Sequence, residues 1–190
     1  MKAIDLEADL RQMSSGALLR HFQTLPAPDM AEMDGEFAAC LLAQPNRLAA
    51  TLWPALLNNP MGPGLWQAKA FRPIDATHGR GYNRFQFGGQ SVRRFPMQTL
   101  IAPSRYDGKP AYTLVYAGFR SLCGRIHMVD ELRRATSGLY LGVGTCGFTD
   151  TQRRVAIPFL LRGPVARYEG DIGKPRRGFQ PQSELVPQHA

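Results

Sequence analysis

From residue 64 onward the sequence is cut into short extended runs, and this cutting restricts the fold more than any other feature. GLWQAKAFRP, GRGYNRFQFGG, VRRFPMQTLIAP, PAYTLVYAGF, GRIHMVDELRR, GLYLGVGTCGF and RRVAIPFLLRG follow one another, each about 7 to 12 residues long. Turn signals separate them: His78-Gly79, Gly88-Gly89, Asp107-Gly108, Thr136-Ser137-Gly138 and Thr149-Asp150. Asp-Gly between alternating segments is a strong short-range hairpin signal. No helical periodicity intervenes, so the strands are predicted to meander antiparallel rather than to form a parallel sheet. GEFAACLLAQ adds a strand upstream, with Phe37, Ala39 and Leu41 on one face. The predicted fold is mainly β (α+β): an antiparallel up-and-down barrel of about 8–10 strands, with N-terminal helices packed on it or capping it.

The flanks read differently. Residues 1–34 are predicted as a helical extension, with Ile4, Leu6 and Leu10 as a weak apolar stripe and Ser14 or Ser15 as a cap. The barrel is predicted over residues 35–164, with a helical insertion near 46–58 that Asn46 caps and Pro54 should break or kink. Residues 165–190 are rich in Pro, Gly and charge and are expected to lie extended over the barrel or to stay unfolded.

Within the runs, alternation sorts residues by face. Tyr112, Leu114 and Tyr116 share one side. Leu139, Leu141 and Val143 oppose Tyr140, Gly142, Gly144 and Cys146. Glycine inside a strand needs a reason: a bend, a close neighbour, or space kept for a ligand. Both readings of Gly142 and Gly144 stay open, tight packing and a cavity beneath Tyr140. Arg125, His127, Asp130 and Glu131 form the one local cluster mixing a cation, an imidazole and carboxylates. On an unbroken strand Arg125, His127 and Glu131 share a face and Asp130 takes the other. A carboxylate beside an imidazole suits general acid–base work, whereas the structural reading is a solvated face with cross-strand ion pairs.

Charge and cysteines exclude more than they assign. The net charge is +8, but 19 of the 23 basic residues are Arg, dispersed in pairs along the chain, and no nucleic-acid-binding motif accompanies them. Nucleic acid is therefore not an expected partner. Cys40, Cys123 and Cys146 match no metal spacing and read as small buried apolar groups. His78 and His189 read as solvated and His21 as packing, so no metal and no cofactor is expected. No apolar run approaches the length of a bilayer and the N-terminus is acidic where a secretory signal is apolar, so a cytoplasmic protein without a membrane span is expected. A homodimer is left open.

The Gly64-Leu65-Trp66 strand entry followed by the meander resembles the calycin superfamily, which includes lipocalins and fatty-acid-binding proteins. Gly35-Glu36-Phe37-Ala38-Ala39 is similar to the Gly-x-Trp-x-Gly opening of small bacterial barrel families, with Phe37 in place of Trp and Ala39 in place of the second Gly. The resemblance spans about residues 35–163 and implies a central cavity for a small apolar or amphipathic molecule.

The leading functional expectation is a binding protein for a lipid-like or aromatic molecule. Its ligand-binding candidates are Arg125, Tyr112, Tyr116, Tyr140, Trp66, Gly142 and Gly144, with Arg125 meeting a carboxylate where the ligand carries one. The alternative is a cofactor-independent lyase, isomerase or hydrolase. There His127 acts as acid or base, Arg125 holds an anion, and Glu131 or Asp130 orients the imidazole. The third is a protein-interaction module using the Arg-rich tail.

Overall fold

The computed structural model describes residues 3–59 and 62–185; His189 and the other residues beyond 185 lie outside the described chain. Eight antiparallel strands close into a ring. They are β1 (Gly35–Leu41), β3 (Gly64–Pro73), β4 (His78–Phe87), β5 (Gln90–Pro103), β6 (Pro110–Val115), β7 (Val129–Thr136), β8 (Leu139–Thr145) and β9 (Ile157–Ala166). The two-residue β2 (Asn58–Asn59) pairs with the start of β3, outside the ring. Closure is made by β1, which pairs with β9 on one side and with β3 on the other. The antiparallel barrel read from the sequence is the fold observed.

One face of every strand fills the interior. Phe37, Phe71, Met97, Tyr112, Leu114, Tyr116, Leu132, Tyr140, Phe159 and Leu161 are all buried there in one cluster. Phe37, Ala39 and Leu41, which alternation puts on one face of β1, join it together. One end of the barrel is stoppered by the 3₁₀ turn Met30–Glu32, whose Met30, with Met33 just after it, enters the same cluster.

The outer wall is covered by the chain's own flanks. Helices α1 (Ala3–Gln12) and α2 (Ser15–Phe22) lay Leu6, Leu10, Leu18 and Phe22 on Leu139, Leu141, Val143 and Leu160. They pack on the wall and do not cap an end. Ser14 caps α2, accepting from the Ala17 amide at 3.4 Å. On another part of the wall the C-terminal segment runs as a strap. Phe179 and Leu185 cover Leu100, Ala102 and Val115, and Asp171 meets Arg72 and Arg80 at 3.0 and 2.9 Å.

Two local expectations are corrected. The helix over the insertion, α3 (Arg47–Leu57), runs through Pro54 without a break, although Pro54 lacks the amide proton that would bond inside the helix. The strand expected from Gly124 begins only at Val129. Before it stands a helical turn, α4 (Leu122–Arg125), which Ser121 caps by accepting from the Gly124 amide at 3.1 Å. His127 then takes φ 51°, a left-handed conformation that ends the turn. Arg125, His127 and Glu131 consequently share no strand face.

Candidate functional site

The end of the barrel opposite the 3₁₀ stopper carries α3, α4 and the β8–β9 connection, which contains α5 (Asp150–Arg153). Just inside it, four strands bring polar side chains to one point in an otherwise apolar interior. Lys69 comes from β3, Asn83 from β4, Tyr116 from the end of β6 and Asp130 from β7. All four are buried; Lys69 and Asp130 are 4% and 3% exposed.

A register shift on β3 makes this possible. Trp66 faces Phe85 and Lys69 faces Asn83, with the irregularity between Trp66 and Ala68. Strict alternation would put residues 66 and 69 on opposite faces; the bulge turns both inward.

The ammonium of Lys69 donates to Asp130 Oδ2 at 2.7 Å, to the Tyr116 hydroxyl at 2.6 Å and to Asn83 Oδ1 at 2.9 Å. It also sits 5.2–5.3 Å from the ring centroids of Trp66, Tyr116 and Phe159, whose electron-rich faces favour a cation. Tyr116 donates to Asp130 Oδ2 at 2.9 Å. Asn83 donates to the Tyr116 hydroxyl at 3.2 Å and to the Phe95 carbonyl at 3.3 Å, and accepts from Trp66 Nε1 at 3.2 Å. Burial, and then the negative charge of Asp130, push the Tyr116 phenol well above its ordinary pKa. It therefore stays a neutral donor throughout the physiological range.

These groups border a cavity of about 50 Å³ between α3 and the packed interior. Its other walls are apolar: Leu41, Trp53 of α3, Trp66, Phe85, Phe95, Met128, Ile157 and Phe159. Cys123 also lines it, and burial raises its thiol to a pKa of about 12. The volume is that of a water-sized void rather than a ligand pocket of several hundred Å³. Trp53 and α3 form its outer wall, and α3 rests chiefly on β2 and β3.

Of the residues singled out from the sequence, Trp66, Tyr116, Asp130 and Gly144 meet at this cavity. Tyr112 and Tyr140 point inward but lie away from it. Tyr112 donates to Thr99 at 2.9 Å and stacks edge-on against Phe71; Tyr140 packs on Phe37 and reaches Glu32 at 3.5 Å. Gly142 makes room for the Phe159 ring, which a Cβ there would meet at 2.3 Å. Gly144 does the same for Asp130, whose Oδ1 would lie 2.8 Å from such a Cβ.

The remaining candidates stand apart. Arg125 is exposed on α4. His127 turns to the C-terminal strap, with Nδ1 3.0 Å from both carboxylate oxygens of Glu184. Glu131 faces the outer wall, where it accepts from Ser104 and from the Arg105 amide. Lys69 and Asn83 were missed in the sequence. The signal available was a lysine within an otherwise apolar strand, QAKAF, but the bulge that turns it inward leaves no mark in the alternation.

The fold is similar to that of a protein from Thermomonospora curvata known from a crystal structure, with a TM-score of 0.55 and 13% identity over 84% of this chain and 93% of that one. At that identity the likeness is one of fold. No protein-family model matches the chain, and no curated protein does.

Proposed function

We propose that this protein is a calycin-like small-molecule-binding barrel. It takes a compact apolar or aromatic molecule through its α3 end and seats the molecule's polar group at Lys69, Asn83, Tyr116 and Asp130. The observation that carries the reading is the buried ion pair itself. A Lys–Asp pair removed from water is rarely worth its desolvation to the fold, and well-packed apolar residues of similar volume often serve stability as well or better. Here it borders a cavity in the barrel interior, and a few convergent polar groups in an otherwise apolar cavity are how ligand sites are built.

The mouth suits an apolar guest. Leu48 on α3, Phe148 in the β8–β9 connection and Leu122 on α4 are 75%, 69% and 61% exposed, the three most exposed large apolar side chains among the described residues, and all three belong to this end. Because the cavity holds about 50 Å³, a guest displaces Trp53, and α3 moves with it.

Native mass spectrometry of the protein as purified tests the reading. A co-purifying small molecule, lost on Trp66→Ala, is expected. Protein that carries none, and that binds no apolar probe at millimolar concentration, would defeat it. The enzymatic alternative assigns acid–base work to His127, whose partner is Glu184 on the strap. Under the binding reading His127→Ala leaves ligand affinity unchanged within about twofold, whereas turnover abolished by that variant would favour the enzyme.

A further inference from the structure

The hydrogen bonds at the cavity leave one kind of opening. Every donor of the cluster is spent within it. Lys69 uses its three protons on Asp130, Tyr116 and Asn83. Tyr116 uses its proton on Asp130, Asn83 uses both amide protons on Tyr116 and the Phe95 carbonyl, and Trp66 uses its indole proton on Asn83. Two donors converge on Asn83 Oδ1, which fixes the orientation of the amide.

The acceptors are not spent. Both bonds to Asp130 end on Oδ2. Oδ1 lies over Gly144, in a side chain 4% exposed, and accepts no hydrogen bond from any described residue. A carboxylate oxygen at a cavity wall can accept a further donor, and Gly144 keeps the space beside it clear.

We infer that the cavity selects a ligand presenting a hydrogen-bond donor, a neutral hydroxyl or N–H on an apolar or aromatic body, which donates to Asp130 Oδ1. This rests on the binding reading above and narrows its ligand class. The pair Lys69–Asp130 is already neutral in sum, so a carboxylate ligand would bring its charge against Oδ1 with no ammonium proton left to meet it. The carboxylate contact allowed for at Arg125 has no place in this reading, since Arg125 is exposed on α4 and absent from the cavity lining. Sites built around a buried polar group discriminate strongly against analogues that leave that group unpaired.

Phenol, benzene and benzoate test it at pH 7, by calorimetry and by the NMR shift of the Trp66 indole proton. The proteins are the wild type and Trp53→Ala, which enlarges the cavity toward a benzene-sized volume. Phenol is expected to bind at least tenfold more tightly than benzene or benzoate. Asp130→Asn should reverse the preference, favouring an acceptor such as benzaldehyde, because an amide N–H can then face the cavity. That variant strands the Lys69 ammonium, so Lys69→Met with Asp130→Asn supplies a second background, in which phenol's advantage over benzene should fall below about twofold. Benzoate binding as well as phenol, or benzene equalling phenol in the wild type, overturns the donor inference and leaves the binding reading standing. Failure of all three probes to bind either the wild type or Trp53→Ala overturns both.

Discussion

Glycine at two positions of one strand does two different things, and a single atom separates them. At residue 142 the absent Cβ is occupied by an aromatic ring from the neighbouring strand; at residue 144 it is replaced by a carboxylate oxygen at the cavity. Gly142→Ala is therefore expected to destabilise the protein by about 1–3 kcal/mol, as overpacking does. Urea denaturation measures it, and Phe159→Leu in the same chain should recover part of the loss; a Gly142→Ala protein as stable as the wild type would show that the ring can withdraw. Alternation alone placed both glycines on one face with Tyr140, without saying that this face is the inward one. It could not say which was filled, because filling depends on the rotamer of Phe159, a residue from another strand.

At the scale of elements, ion pairs rather than apolar area alone fix how the flanks sit on the barrel. Arg133 of β7 is fully buried beneath α2. It holds Asp107 through two bonds of 2.7 and 2.6 Å, donates to the Phe22 and Lys109 carbonyls, and stacks on the Phe22 ring at 4.7 Å. It thus ties the helix and the β5–β6 hairpin to the same strand. Burial opposes ionisation of Asp107, but the hydrogen bonds from Arg133 outweigh it and hold the carboxyl below its ordinary pKa. A depressed folded pKa means stability that is complete above the unfolded value, about 3.9, and is lost as pH falls through the folded value. Arg133→Met should cost roughly 3–5 kcal/mol at pH 7, since it leaves a partly buried carboxylate unpaired. Asp107→Asn should make the urea midpoint less sensitive to pH below about 4. An unchanged acid limb in Asp107→Asn would place the acid sensitivity elsewhere. Elements were the most legible level of the sequence. Turn pairs such as Asp107-Gly108 marked where strands stop, and apolar alternation marked what they bury. The failure at residues 124–128 has a local cause: GRIHMV alternates like a strand, but the Ser121 cap and the positive φ of His127 turn it into a helical connection. Side-chain capping competes with the ladder there, and period-2 counting does not register it.

For the molecule as a whole, the thiol of Cys123, buried at the cavity, reports on how closed the α3 end of the barrel is. Burial raises its pKa to about 12, so at pH 8 almost none of it is thiolate. Its reaction with a disulfide reagent should run at least tenfold more slowly than that of the urea-unfolded chain, where an ordinary thiol has a pKa near 8.5. Trp53→Ala, which thins the outer wall of the cavity, should speed it. A native rate matching the unfolded one would mean that the α3 end admits reagent freely. The candidate site was only half legible because it is a whole-molecule property. Trp66, Tyr116, Asp130 and Gly144 were named from their own strands, but Lys69 and Asn83 join them only after the ring closes.

That ring closes through β1, which is bonded to β9 by pairs such as Leu41↔Phe159, 118 positions apart (159 − 41). The earliest-made strand therefore waits for the last. While the chain is being synthesised, β3 to β8 can assemble hairpin by hairpin, but no closed interior exists until β9 has emerged. Refolding should accordingly be governed by this late long-range meeting, in milliseconds to seconds rather than microseconds, and a nascent chain halted before Ile157 should remain open and dependent on chaperones.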